Sequence, residues 1–356
     1  MLRAAASCSS RALIVRGCSG LVAAAAAAAA VYRAPPACAG RALADAEGPG
    51  AAQCGPMVAG RMRGLGLWSP GGEITVQPLK GGGSSESEGV FVIANETGAP
   101  AKTVSDQRVV FKRMKPDKLR VERMLAAQRA FEAVGVCPAV VAAGDNWWVE
   151  AFAGSVPERV PHRSPEHDRW VDRRAALAAR LHRAPPAWFD PIRSKCIAAN
   201  PVLAALPDDS ALWPIAAYHS RALDRFTGDE LRRLDAAVPR PLSVAGRRLV
   251  SVHADLHRQN LVEETPGGVL VAVDTEFACV SSAVQDLLYH MGPPSSRRAF
   301  AAAYLREAAK GVGAADAAGA TDEMLLLETD LLAFDILVRA TPATAKTSCY
   351  PASVKC

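Results

Sequence analysis

Ser251-Val252-His253-Ala254-Asp255-Leu256-His257-Arg258-Gln259-Asn260-Leu261-Val262, followed by Val271-Ala272-Val273-Asp274-Thr275-Glu276, is the stretch that decides how this chain reads. The apolar runs 249–252 and 269–273 have the length and β-branched content of short buried strands. Between them a polar loop carries one aspartate, one asparagine and two histidines, and a second aspartate follows the second run. A carboxylate in a loop between buried strands is costly unless it is satisfied. Asp255 and Asn260, with Asp274 beyond a hairpin, form the set that phosphoryl transfer requires. One carboxylate orients a hydroxyl and accepts its proton, while an amide oxygen and a second carboxylate hold Mg²⁺ on the phosphates.

The pattern His-x-Asp-Leu-His-x-x-Asn at 253–260, then an apolar strand ending in Asp274, resembles the aminoglycoside phosphotransferase and choline/ethanolamine kinase superfamily. The resemblance runs on through Asp274-Thr275-Glu276-Phe277-Ala278 to Asp286-Leu287-Leu288-Tyr289-His290. It implies an α+β, bilobal protein-kinase-like fold: a small antiparallel β-sheet N-lobe and an α-rich C-lobe. It also implies ATP and Mg²⁺ as cofactors, Asp255 as the catalytic residue, Asn260 and Asp274 as metal ligands, and Asp286 as a brace for the catalytic-loop backbone. His253 is expected to brace the same loop and His257 to line the acceptor or phosphate side. Glu276 is expected either to contact Mg²⁺ or a cationic acceptor, or to be a surface acid. A zinc site on His253 and His257 is disfavoured, because the general-base glutamate of H-E-x-x-H is missing and the flanks are strand and loop.

Upstream, 74–79, 90–94 and 108–112 read as strands, with the glycine-rich stretch Gly81-Gly82-Gly83-Ser84-Ser85-Glu86 after the first. Glycine lets backbone N–H groups approach phosphate, so Gly82, Gly83 and Ser84 are candidate nucleotide contacts. Two acids, Glu86 and Glu88, depart from a kinase glycine-rich loop, which also lacks G-x-G-x-x-G here; a plain hairpin loop is the alternative. Lys112 shares a strand face with Val110 and matches the lysine that pairs the nucleotide α/β-phosphates. Its expected partner is Glu122, one turn into a helix predicted over 117–134. The segment Trp147-Trp148-Val149-Glu150-Ala151-Phe152 resembles the hinge, where the main chain around Glu150 and Phe152 would read the adenine edge. Helices are expected over 169–183, 229–238, 297–309 and 322–339, with His182 packing and capping the first of these.

The 356 residues carry 41 Lys and Arg against 36 Asp and Glu. Five of those arginines lie in the first 44 residues, which hold no acid, so the remainder is electrically balanced. No basic face for nucleic acid follows from that. Segment 1–44, rich in Ala, Ser and Arg, has the composition of a transit peptide addressed to a plastid or mitochondrion, with a disordered extension in a cytoplasmic protein as the alternative. Its alanine run is too short and too weakly apolar to span a bilayer, so no stable membrane insertion is expected. Nine cysteines without a Cys-x-x-Cys pattern argue for reduced thiols. The expected organisation is presequence 1–44, linker 45–71, N-lobe 72–153, C-lobe 154–340 and tail 341–356.

A protein kinase is disfavoured, since Asp274-Thr275-Glu276 replaces Asp-Phe-Gly and no Ala-Pro-Glu follows. The expected activity is transfer of the ATP γ-phosphoryl group to a small-molecule hydroxyl, on an amino alcohol such as choline or ethanolamine or on an aminoglycoside or sugar-like acceptor. A nucleotide-binding pseudokinase or scaffold is the competing reading. The oligomeric state is not legible in the sequence. Trp188, Trp213 and Tyr218 are candidate rings for a quaternary ammonium.

Overall fold

The computed structural model describes residues 49–67, 73–79, 87–95, 108–115, 118–158, 160, 164–210, 212–218, 223, 225–237, 249–290, 294–310 and 321. The glycine-rich stretch with Gly82, Gly83 and Ser84, the presequence, the helix expected over 322–339 and the tail lie outside them.

Five strands form one antiparallel sheet in the order β1-β2-β3-β5-β4: β1 Ile74–Pro78, β2 Ser87–Asn95, β3 Arg108–Met114, β4 Val140–Ala143 and β5 Trp147–Ala151. Period-two alternation divides its side chains between two faces. Phe91, Ile93, Val109, Phe111 and Val149 pack on one face against Val58 and Met62 of helix α1 (Pro49–Gly64). The expected linker 45–71 is corrected by this helix. Its Gly, Ala and Pro suggest a loop by composition, yet Val58 and Met62, four apart on one helical face, find an apolar sheet to cover. The opposite face carries Val110, Lys112, Trp148 and Glu150, with Lys112 opposite Trp148 and Val110 opposite Glu150 in the register. Met114 and Trp148 there pack on Val121 and Met124 of helix α2 (Lys118–Glu132).

The second half of the described chain is helical around short strand pairs. Helix α3 (Pro165–Leu181) begins at Ser164, whose hydroxyl accepts from His167 N, with Pro165 in the first turn where a missing N–H costs nothing. Its buried face packs on helix α8 (Pro294–Ala308). Between them run α4 (Asp190–Ala199), α5 (Trp213–Tyr218), α6 (Gly228–Ala237) and the four-residue α7 (Val284–Leu287). Strand β6 (Val250–Val252) pairs with β9 (Cys279–Ser281), and β7 (Leu261–Glu263) with β8 (Leu270–Ala272). The two apolar runs flanking the polar loop are therefore strands, as expected, but they do not pair with each other. The α+β fold class holds: an antiparallel sheet first, helices after it.

The link between the halves is fastened to the polar loop's exit. Ser155 N donates to Glu263 O (3.0 Å) and Glu263 N to Ser155 O (2.9 Å). Gly154, at φ 107°, passes so close that a Cβ there would lie 2.0 Å from Glu263 O, so only glycine fits. Among the described residues no helix is long and apolar enough to cross a membrane.

Candidate active site

The polar loop lies between β6 and β7, and its shape depends on Asp286. This carboxylate, wholly buried on α7, accepts from Ala254 N at 2.7 Å and His253 N at 2.9 Å. Its third partner is His182 Nε2 at 3.0 Å, and His182 Nδ1 lies 2.7 Å from Tyr304 Oη on α8. The brace expected of Asp286 is thus extended by two buried groups, His182 and Tyr304. His182 caps the C-terminus of α3, as expected, and also belongs to this network. His253 holds the loop from the other side, Nε2 to Val273 O at 2.9 Å. Tyr289 Oη donates to Ala254 O at 3.0 Å.

Two non-glycine residues among those described have positive φ: Ala254 at 62° and Asp274 at 67°. Each such backbone costs on the order of 1–3 kcal/mol and persists where the surroundings over-determine it. One directly precedes Asp255, and the other is the second aspartate itself. The strain lies where the sequence places the chemistry.

Asp255 is partly buried, and Asn260 Nδ2 donates both to its carbonyl and to Oδ2 at 2.9 Å. His257 Nε2 stands 3.5 Å from the same Oδ2, its ring edge-on to Tyr289 at 6.2 Å. Burial pushes the Asp255 carboxyl above its ordinary pKa of 3.8. His257, His253 and the Asn260 hydrogen bond pull it down, and the nearby charge of Asp274 pushes it up again. Asn260 spends its Nδ2 on Asp255, so Oδ1 has no protein partner among the described residues. The Asp274 carboxylate has no hydrogen-bond partner among them either. Two repelling carboxylates beside a free amide oxygen form a hard-oxygen donor set that suits Mg²⁺. Among the described residues no group of three or more His, Cys, Asp or Glu could hold a metal by itself.

Glu276 is buried at 6% exposure, so its surface alternative is excluded. Its carbonyl accepts from Arg123 Nη2 at 2.6 Å, and Thr275 Oγ1 donates to Met124 O at 3.2 Å. Helix α2 thus grips the turn that follows Asp274.

Lys112 faces the same site. Its Nζ lies 2.9 Å from Glu150 Oε1, with both side chains buried. Burial works against the ammonium, but Glu150 and, beyond it, Asp274 outweigh that, and the pKa is raised above the usual 10.5. Two expectations are corrected here. Glu122 does not pair with Lys112; it forms an ion pair with Lys195 on α4. Glu150 is not a main-chain hinge residue, because β5 is an interior strand and its backbone pairs with both β3 and β4. Its side chain is what counts. Phe152 lies just past β5, its ring 4.1 Å from the Arg108 guanidinium. The indole N–H groups of Trp188 and Trp213 bond Ser251 Oγ (2.9 Å) and Pro207 O (2.8 Å), and Trp213 is buried.

The sequence model described as the phosphotransferase enzyme family matches residues 92–322, which is 231 of the 356 residues. The chain belongs to that family. The match spans Lys112, the polar loop, Asp274 and Asp286. Among solved structures, an ethanolamine kinase of Plasmodium vivax is similar at 14% identity and TM-score 0.48, over 75% of this chain and 74% of that one. A choline kinase of Cryptosporidium parvum is similar at 15% identity and TM-score 0.46, over 80% and 86%. A macrolide 2′-phosphotransferase of Brachybacterium faecium is similar at 13% and 0.45, over 81% and 93%. No curated protein sequence matches the chain.

Proposed function

We propose that this phosphotransferase uses ATP and Mg²⁺ and phosphorylates a hydroxyl of a small molecule, an amino alcohol or a sugar-like compound. The observation that supports the reading is the convergence of Asp255, Asn260, Asp274 and Lys112 around one strained, braced loop inside a family of phosphotransferases.

Asp255 holds the acceptor hydroxyl and takes its proton on a carboxylate oxygen. The acceptor oxygen forms its bond to the γ-phosphorus, the bond to the β–γ bridging oxygen breaks, and ADP leaves with that electron pair. Asn260 ties the Asp255 carboxylate and its backbone carbonyl together through Nδ2, and Asn260 Oδ1 and Asp274 would hold Mg²⁺. Lys112 places a positive charge where the nucleotide phosphates lie. Mg²⁺ held there would supply neutralisation of the negative charge on the phosphates.

The test is ADP release by the full chain with Mg²⁺-ATP and a panel of choline, ethanolamine, aminoglycosides and simple sugars. Turnover stimulated by one class of acceptor supports the proposal and names the class. ATP binding without stimulation by any acceptor favours the pseudokinase.

The raised Asp255 pKa gives a pH prediction. The base must be ionised, so activity is present above the folded-state pKa and is lost as pH falls through it. Since that pKa is raised, the acid limb of kcat/KM should lie at higher pH than an ordinary aspartate, which titrates near 3.9, would give. A limb at or below that value, in a pH series where the protein stays folded, would count against Asp255 as the base.

A further inference from the structure

We propose that Glu150, a residue of the sheet, is the acid that positions the phosphate-binding Lys112, and that no acid of helix α2 does so; the charged and backbone contacts of that helix instead hold the Asp274 turn. This rests on the nucleotide site described above.

The argument begins with where the acids of α2 go. The helix holds two, Glu122 and Glu132. Glu122 is bound to Lys195 of α4, and Glu132 Oε2 accepts from Val140 N at 3.1 Å. Neither reaches Lys112. The acid that does is Glu150, and its carboxylate is fully used. Oε1 takes the Lys112 ammonium at 2.9 Å, while Oε2 faces Trp148 Nε1 at 3.2 Å and Gln128 Nε2 at 3.5 Å. Gln128 is the residue of α2 that approaches the pair, and it carries no charge.

Register explains why the strand can do this. Val110 lies opposite Glu150 and Lys112 opposite Trp148, so the two ionic side chains lie diagonally on one sheet face, within reach of long side chains. Backbone hydrogen bonds on both sides of β5 fix the Glu150 Cα. The ionic partner of the lysine is therefore set by strand register, with Gln128 of α2 adding one neutral contact to it. Helix α2 makes different polar contacts toward the site: Arg123 Nη2 to Glu276 O and Met124 O from Thr275 Oγ1. The lysine and the metal carboxylate therefore have separate anchors, one in the sheet and one on the helix.

The test compares Glu150→Gln with Glu122→Gln in the full chain, reading the Kd of a fluorescent ATP analogue, the KM for ATP, the KM for the acceptor and the Tm. Glu150→Gln should weaken nucleotide binding and raise the KM for ATP by about tenfold or more, with the acceptor KM unchanged. Glu122→Gln should leave nucleotide binding within about twofold. Removing one partner of a buried pair leaves the other unpaired and can destabilise the fold, so Lys112→Met/Glu150→Gln provides a control. In the Lys112→Met background, Glu150→Gln should cause no further loss of nucleotide affinity, and the double variant should regain Tm relative to Glu150→Gln. A loss of affinity in Glu122→Gln but not in Glu150→Gln would overturn the inference. So would a Glu150→Gln protein that loses Tm while its nucleotide affinity stays intact. If wild-type protein binds no nucleotide, the functional proposal itself fails, an outcome separate from either of these.

Discussion

Asp255→Asn should reduce acceptor-dependent turnover by about 10²–10⁴-fold, the range for loss of a positioned proton acceptor. The amide is nearly the same size and can still meet Asn260, so the loop should keep its shape. Folding should not suffer. Burial raises the Asp255 pKa, so ionising it in the folded state costs stability at any pH above its ordinary pKa. Removing the charge removes that cost, and the Tm at neutral pH should be unchanged or higher. Nucleotide affinity should stay close to wild type, because Lys112 and Asp274 are untouched. A variant that keeps more than about a tenth of the activity would remove Asp255 from the role of base. One that loses activity together with Tm would show only that the residue is structural.

Asp286→Ala should have the largest effect on stability. The wholly buried carboxylate satisfies two backbone N–H groups and one imidazole. Its removal leaves all three in an apolar interior, at about 1–3 kcal/mol for each buried polar group left unsatisfied. For three such groups the low end of that range already comes to about 3 kcal/mol. With a Tm shift of about 2–4 °C per kcal/mol for a domain of this size, thermal melting should fall by roughly 10 °C. Activity should fall as well, since the positive φ of Ala254 is held by the hydrogen bond from its own N–H. Asp286→Asn, which keeps one accepting oxygen, should fall between the two. A melting temperature within about 2 °C of wild type for the alanine variant would show that the loop is held by something else.

Much of this was legible in the sequence, for reasons that differ from element to element. The strands around Phe91 and Phe111 and the helix bearing Met124 carry clear apolar periodicity and appear close to their expected bounds. Strands β7 and β9, three residues each, are too short to show a period, so the pairing of β6 with β9 is not legible in the sequence. Asp255, Asn260 and Asp274 were legible because few structural roles require those side chains at that spacing. The sequence points to Glu122 as the Lys112 partner because a helix acid one turn in is the usual pattern. The competing acid sits in a strand so apolar that it reads as hinge backbone. Only strand register brings Glu150 onto the face of Lys112. His182, Tyr304 and Arg123 each look like ordinary helix residues. Their roles depend on contacts 104, 122 and 153 residues away in the sequence. Helix α1 is hidden by composition, since Val58 and Met62 stand among small residues and only the sheet they cover shows that they share a face.

The most direct test of the central claim is the fate of the γ-phosphoryl group. Wild-type full chain is incubated with Mg²⁺-ATP and each acceptor, and both products are measured by mass spectrometry. The account predicts an acceptor heavier by one phosphoryl group on oxygen, formed in a one-to-one ratio with ADP and absent without Mg²⁺. ADP formed with no phosphorylated acceptor, or no ATP binding at all, would contradict it.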